Sequence, residues 1–211
     1  MNFEQQVAQK LLQIKAIKLS PQNPFTWASG LRSPIYCDNR VTLSHPAIRQ
    51  QIKLGFAAVA EQFSDFDSVS GVATAGIAHG ALLADYLGLP FSYVRSSAKA
   101  HGRQNRIEGE INSGSKVLVI EDLISTGGSS IEAVEVLREA DVKVVGVAAI
   151  FTYQFEKAVQ NFANAECKFA TISNYQAMLA EAVALQYISA EEEGILQKWS
   201  ADPEGWYANN F

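Results

Sequence analysis

The chain is predicted to adopt an α/β fold, a doubly wound and mostly parallel sheet, on three observations. Short apolar runs alternate with amphipathic stretches from residue 69 onward, which is the pattern of repeated strand–helix units. The run VLVIEDLISTGGSS at 117–130 passes from a buried strand through a small-residue turn towards a helix. With 211 residues, 48% hydrophobic and 18% charged, the chain suffices for one well-buried domain, expected to span 1–211.

Taken in order, Phe3, Val7, Leu11 and Ile14 stand at helical spacing, so a first amphipathic helix ends before Pro21. The segment NPFTWASGLRSPIYCDNR at 23–40 is rich in turn residues and aromatics and reads as a binding loop followed by a short strand at 35–38. Ser44 is placed to cap a second helix with Pro46 in its first turn and Ile48, Ile52, Phe56 and Val59 along one face. Strands are expected at 69–73, 91–95, 117–120, 142–151 and 168–172, with helices at 77–87 and 130–140. Residues 175–199 read as helical, the acids 191–193 being a solvated helix start. In such sheets ligands bind at the carboxyl ends of the strands.

Composition excludes several function classes. Glu4, Gln5, Gln6 and Lys10 interrupt the N-terminal apolar pattern as no signal peptide would, and no stretch approaches a membrane span, so a cytoplasmic location is expected. Cys37 and Cys167 are far apart and outside any metal-ligand spacing, and both read as small buried residues. A net charge of −5 argues against a nucleic-acid partner.

The chemistry is expected at 121–129. Amide groups at a helix N-terminus, with the hydroxyls of Ser125, Thr126 and Ser129, suit a phosphate monoester, and Gly127 and Gly128 allow the tight turn. Glu121 and Asp122 would repel phosphate unless they accept hydrogen bonds from the hydroxyls of a sugar carrying it. Neither GxxxxGK[ST] nor GxGxxG occurs. RSSAKAHGRQNRI at 95–107 brings Arg95, Lys99, His101, Arg103 and Arg106 together with no acid, and its small residues read as a mobile basic lid over about 96–109. His45 and His79 read as structural.

The order strand, acid pair, Ser/Thr turn, Gly-Gly, helix resembles the 5-phosphoribosyl 1-diphosphate (PRPP) signature of type I phosphoribosyltransferases. With the 23–40 segment, GVATAGIAHG at 71–80 and YVRSSAKAHG at 93–102, the chain resembles the orotate phosphoribosyltransferases from about residue 20 to 155. The resemblance implies a phosphoribosyltransferase sheet with a small N-terminal hood over about 1–40. It implies transfer of the phosphoribosyl group from PRPP to orotate, with orotidine 5-monophosphate and pyrophosphate as products. Mg²⁺ is implied too, held mainly through PRPP rather than by protein ligands. Lys99, His101 and Asp122 match catalytic positions, and Arg95, Glu121, Leu123, Ile124, Ser125, Thr126, Gly127, Gly128 and Ser129 match PRPP-binding ones. Tyr36 and Cys37 match the segment that recognises the pyrimidine. A homodimer is implied, the lid of one subunit closing over the turn of the other.

Three family cations are absent. Ala28 and Ala75 stand where lysines are common and Tyr153 near a common arginine, leaving Arg32 as the nearest candidate replacement; Ser96 stands where a further lid-base cation is often found. A purine or other base as acceptor, or a PRPP-sensing regulator without catalysis, are the alternatives.

Overall fold

In a computed structural model, residues 2–97 and 106–210 are described. The elements run α1 (Phe3–Gln13), β1 (Ile17–Leu19), β2 (Phe25–Thr26), β3 (Arg32–Ser33), β4 (Ile35–Cys37), a 3₁₀ turn (Asn39–Ser44), α2 (Pro46–Ala60), β5 (Ser68–Val72), α3 (Ala75–Leu87), β6 (Phe91–Val94) and β7 (Ile107–Glu108). They continue with β8 (Lys116–Ile124), α4 (Gly128–Glu139), β9 (Lys143–Thr152), α5 (Glu156–Asn164), β10 (Phe169–Asn174), α6 (Tyr175–Ala184), α7 (Ala190–Ala201) and α8 (Trp206–Asn210).

Six strands form the main sheet in the order β10-β9-β8-β5-β6-β7, all neighbours parallel except the β6–β7 pair. Its two faces follow from the period of two along each strand. Leu118, Ile120, Ala148 and Ile150 enter one core with α1, α2, α3 and α6, whereas Val117, Val119, Val147 and Ala149 enter the other with α4 and α5. β8 and β9 are therefore apolar on both sides, as strands covered by two helical layers must be. The short β1–β4 and β2–β3 pairs lie outside this sheet.

Several boundaries differ from the sequence expectation. β8 continues through Glu121 and Asp122 to Ile124, because β9 still pairs with it as far as Thr152. Thus the acid pair sits within the last turn of pleat and not beyond the strand. His45, not Ser44, occupies the cap position of α2 and makes no side-chain capping bond, while Pro46 opens the helix as expected. The predicted helix 175–199 is two helices. Gln186 takes a left-handed φ of 55°, and Ser189 restarts the chain with a capping box to Glu192, which places the acids 191–193 in the first turn of α7. Cys167 is buried, but Cys37 is only half-buried. His79 is buried, 3.4 Å from Thr42 Oγ1, and burial with the Arg49 charge lowers its pKa to about 4. Among the described residues no helix is long and apolar enough to cross a membrane.

Candidate active site

The carboxyl ends of β5, β6 and β8 converge on the turn that links β8 to α4. Close backbone packing aims it: a Cβ on Gly76 would meet Ile120 O at 2.3 Å, so α3 starts directly against β8. The Ala73–Thr74 peptide, just before α3, is cis.

Within the turn, the two acids differ. Glu121 is 4% exposed and accepts hydrogen bonds from the Asp122 amide at 2.9 Å, Ser129 Oγ at 3.1 Å and Ser130 Oγ at 3.2 Å. Its carboxylate is therefore committed to tying the strand end to the first turn of α4. Asp122 is half-buried, and its carboxylate, which meets the Glu121 carboxyl but takes none of the serine hydroxyls, is the one with acceptor capacity left for a ligand. Burial, and for Glu121 also the neighbouring Asp122 charge, raises both carboxyls above their ordinary range. Ser129 was expected to offer its hydroxyl to phosphate, but that hydroxyl is donated to Glu121. Among the described residues no hydrogen bond uses the amides of Ser125, Thr126, Gly127, Gly128 or Ser129. This is the array of free donors that an anion at a helix start requires.

The 35–40 segment lies across from the acids. Asn39 is wholly buried and donates from Nδ2 to the Asp122 carbonyl at 2.7 Å, while Cys37 Sγ donates to Asn39 Oδ1 at 3.4 Å. Arg40 grips Asp38 with Nε–Oδ1 and Nη2–Oδ2 distances of 2.6 and 2.9 Å. Burial, then the charges of Asp122 and Asp38, push the Cys37 thiol well up, so it stays protonated and unreactive.

Beside the turn opens a cavity of about 390 Å³. Tyr36 and Cys37 of β4, Leu123 of β8, Ser125 of the turn, and Trp27 and Tyr153 line it, with Thr26 and the exposed Ala28. No charged residue is among these. Trp27 donates from Nε1 to Ile35 O at 3.0 Å, and its ring lies 5.1 Å from Tyr153 and 5.8 Å from Trp199 of α7. Tyr153 is 3% exposed and also stacks on Phe155 at 5.3 Å. Tyr153, near which an arginine was expected from the resemblance, is thus the centre of an aromatic cluster, and Trp199 of α7 and Tyr175 of α6 back it. Arg32 does not replace that cation at the cavity: its Nη1 donates to Thr26 Oγ1 at 3.2 Å and its guanidinium lies over the Tyr207 ring at 4.6 Å.

Lys99 and His101 lie outside the described residues. At the lid base, Arg95 faces Glu108 at 3.4 Å and shares a small cleft with Ala73, Ser96 and Ser129. Arg106 is a tether, donating to the carbonyls of Arg95 and Ser96 at 2.9 and 3.1 Å and pairing with Glu132 at 2.8 Å. The structure therefore sets Tyr36, Cys37 and Ser125 on one cavity, leaves Asp122 and the Thr126–Gly128 backbone in the adjoining strand end and turn, and ties the Ser129 hydroxyl to Glu121. Sequence reasoning did not assign Trp27, Asn39 or Tyr153; only the aromatic content of 23–40 signalled the first.

Comparison with known proteins agrees with this arrangement. Residues 43–175 match the model of the phosphoribosyl transferase domain. An orotate phosphoribosyltransferase of Porphyromonas gingivalis is 55% identical over 201 residues, covering 95% of this chain and 96% of the relative. One of Listeria monocytogenes is 52% identical over 207 residues, covering 98% and 99%. Among solved structures, orotate phosphoribosyltransferase from Aeropyrum pernix superposes with a TM-score of 0.75 at 27% identity, covering 87% of this chain and 99% of that one. UMP synthase of Leishmania donovani gives 0.80 at 26% identity over 95% of this chain, which spans 42% of that longer protein. The site geometry, the domain match and identity above half over nearly the whole length lead to one conclusion: the chain belongs to the orotate phosphoribosyltransferase family.

Proposed function

We propose that the chain transfers the 5-phosphoribosyl group of PRPP to orotate, yielding orotidine 5-monophosphate and pyrophosphate for pyrimidine nucleotide synthesis, in the cytoplasm. The observation that carries this is the junction of two half-sites at Ser125. A turn of free amides with one available carboxylate on one side meets an aromatic-walled cavity large enough for a single pyrimidine on the other.

The chemistry to be managed is departure of pyrophosphate from the anomeric carbon as positive charge grows on the ribose. Asp122 holds the ribose hydroxyls and places a negative charge beside the developing cation. The amides of 125–129 and the hydroxyls of Ser125 and Thr126 fix the 5-phosphate, and Glu121 holds that turn in shape. Orotate nitrogen is the nucleophile, so the protein supplies alignment and no covalent partner. Tyr36, Trp27 and Tyr153 provide the faces between which the base packs. Lys99 and His101 of the lid, with Arg95 at its base, neutralise the leaving pyrophosphate.

Among the described residues no group of three or more His, Cys, Asp or Glu gathers to hold a metal ion. The hard oxygen of Asp122 suits Mg²⁺ bound chiefly through the substrate, where the ion would neutralise diphosphate charge. The proposal includes a homodimer in which the lid acts on the partner's turn. Mixing a Lys99→Ala chain with an Asp122→Asn chain then restores activity, since about half of randomly paired dimers are hybrids with one intact site. No recovery from verified hybrids would return the lid to its own chain.

The deciding assay follows loss of orotate absorbance with PRPP and Mg²⁺, against adenine and hypoxanthine as acceptors. Turnover of orotate alone is expected; turnover of a purine, or of none of the three, would overturn the reading.

A further inference from the structure

α5 takes no part in the site as derived so far, yet it touches the phosphate turn at its tightest point. Asn161 donates from Nδ2 to the carbonyl of Thr126 at 2.9 Å, across 35 residues of sequence. The next residue, Phe162, fills the space beside Gly127: a Cβ built there would stand 2.6 Å from its ring. Gly127 holds a φ of 83°, which a side chain would resist in any case. α5 is itself anchored, since Arg138 of α4 donates to the carbonyls of Ala165 and Glu166 at 2.7 and 3.1 Å.

The Thr126–Gly127 peptide is trans, and in a planar trans peptide the C=O and the following N–H point in opposite directions. A bond that draws the Thr126 carbonyl towards α5 therefore aims the Gly127 amide away from α5, and that amide has no partner among the described residues. With glycine at 127 on one side, this peptide is free to flip unless something holds its carbonyl, and a flipped carbonyl would confront the phosphate with a negative dipole. The Ser129 hydroxyl cannot compensate, being spent on Glu121.

We propose that Asn161 is a positioning residue for the PRPP site: by holding the Thr126 carbonyl it fixes the Gly127 amide as a donor to the 5-phosphate. This rests on the assignment of the 125–129 turn to that phosphate. Asn161 touches no substrate and acts only through the peptide it orients.

The test uses the full chain, ribose 5-phosphate as probe, and the Gly127 and Gly128 amide signals in nuclear magnetic resonance. In the unaltered protein both signals should move on titration. Asn161→Ala removes the donor, and Asn161→Asp keeps the shape while setting a carboxylate against the carbonyl. Each is expected to bind ribose 5-phosphate about three- to tenfold more weakly, the worth of one hydrogen bond. The Gly127 response should shrink and KM for PRPP should rise by a similar factor. KM for orotate at saturating PRPP should stay unchanged, which a general loosening of the fold would not allow. Should Asn161→Ala fail to fold, the isosteric Asn161→Asp carries the comparison. If the wild-type amides respond but both variants bind and respond as wild type does, the Asn161 role is overturned and the turn assignment stands. If the wild-type amides do not respond to bound ribose 5-phosphate, the turn assignment itself falls, and the proposal with it.

Discussion

The phosphate turn and the base cavity meet at Ser125 yet are built by opposite means. The phosphate side is nine contiguous residues, 121–129, running from the end of β8 into α4 and held by polar bonds to the buried Glu121 carboxyl at its start. The cavity is assembled from residues 26–28, 36 and 37, Leu123, Ser125 and Tyr153, backed by Trp199, and its lining is uncharged and carries three aromatic rings. One half-site is contiguous in sequence and held by hydrogen bonds, two of them from the distant Asn39 and Asn161, and the other is assembled at long range by packing. Neutralising the charge of orotate therefore falls to groups other than those that line this cavity.

Restoring the common family arginine is the most severe way to test this division. Tyr153→Arg would bury a guanidinium among Trp27, Phe155, Tyr175 and Trp199, with no acid among these rings and Asp122 the carboxylate whose charge reaches the position. An uncompensated buried charge costs about 3–5 kcal/mol, which for a chain of this size lowers the melting temperature by roughly 10 °C. A Tyr153→Arg protein that melts with the wild type would show that the aromatic cluster yields readily to a cation.

On the polar side, Asp122→Asn keeps shape and the backbone bond from Asn39 but removes the charge. A fall in kcat of about 10²–10³, equivalent to about 2.7–4 kcal/mol, is expected with little change in melting temperature, because the carboxylate matters most once the ribose becomes cationic. Near-normal turnover would reassign the ribose to another group.

The same contrast governs what the sequence discloses. The turn was legible because strand, acids, glycines and helix follow one another, and each contributes through its own backbone. The inward rotation of Glu121 was not, since it depends on Ser129 and Ser130 presenting hydroxyls after the helix has formed. Asn39, Tyr153 and Trp199 were hidden because their partners lie tens of residues away, where no periodicity reports contact. The sheet was legible through alternation of apolar runs. The break between α6 and α7 carries no glycine or proline at Gln186, though Ser189 and Glu192 stand at capping-box spacing.

Glu121→Gln sharpens the polar half. The carboxyl is raised in the folded chain by burial first and by the Asp122 charge second. Folding thus favours its protonated form. The stability this confers is fully present below the ordinary carboxylate range and lost as pH rises through the raised folded value. The slope is at most about 1.4 kcal/mol per pH unit. Urea denaturation from pH 5 to 9 should find the wild type losing stability relative to Glu121→Gln with rising pH. Parallel curves would mean that the three donors to Glu121 offset its burial.

The smallest expected effect lies at the rim of the uncharged half. Ala28 is exposed where it borders the cavity, so a lysine placed there would keep its ammonium in water and cost the fold little. Its charge would lie within reach of an anionic base, and a partly screened pair of this kind is worth about 0.2–1 kcal/mol, or a KM for orotate lower by about one-and-a-half- to fivefold. Because the attraction is screened by salt, the gain should shrink between low and high ionic strength, whereas a gain from packing would not. A salt-independent KM, or one unchanged by Ala28→Lys, would mean that orotate does not carry its charge towards this rim. Seen beside Tyr153→Arg, the pair of substitutions separates two reasons for a missing cation: at Tyr153 the packing forbids it, and at Ala28 the rim would accept it.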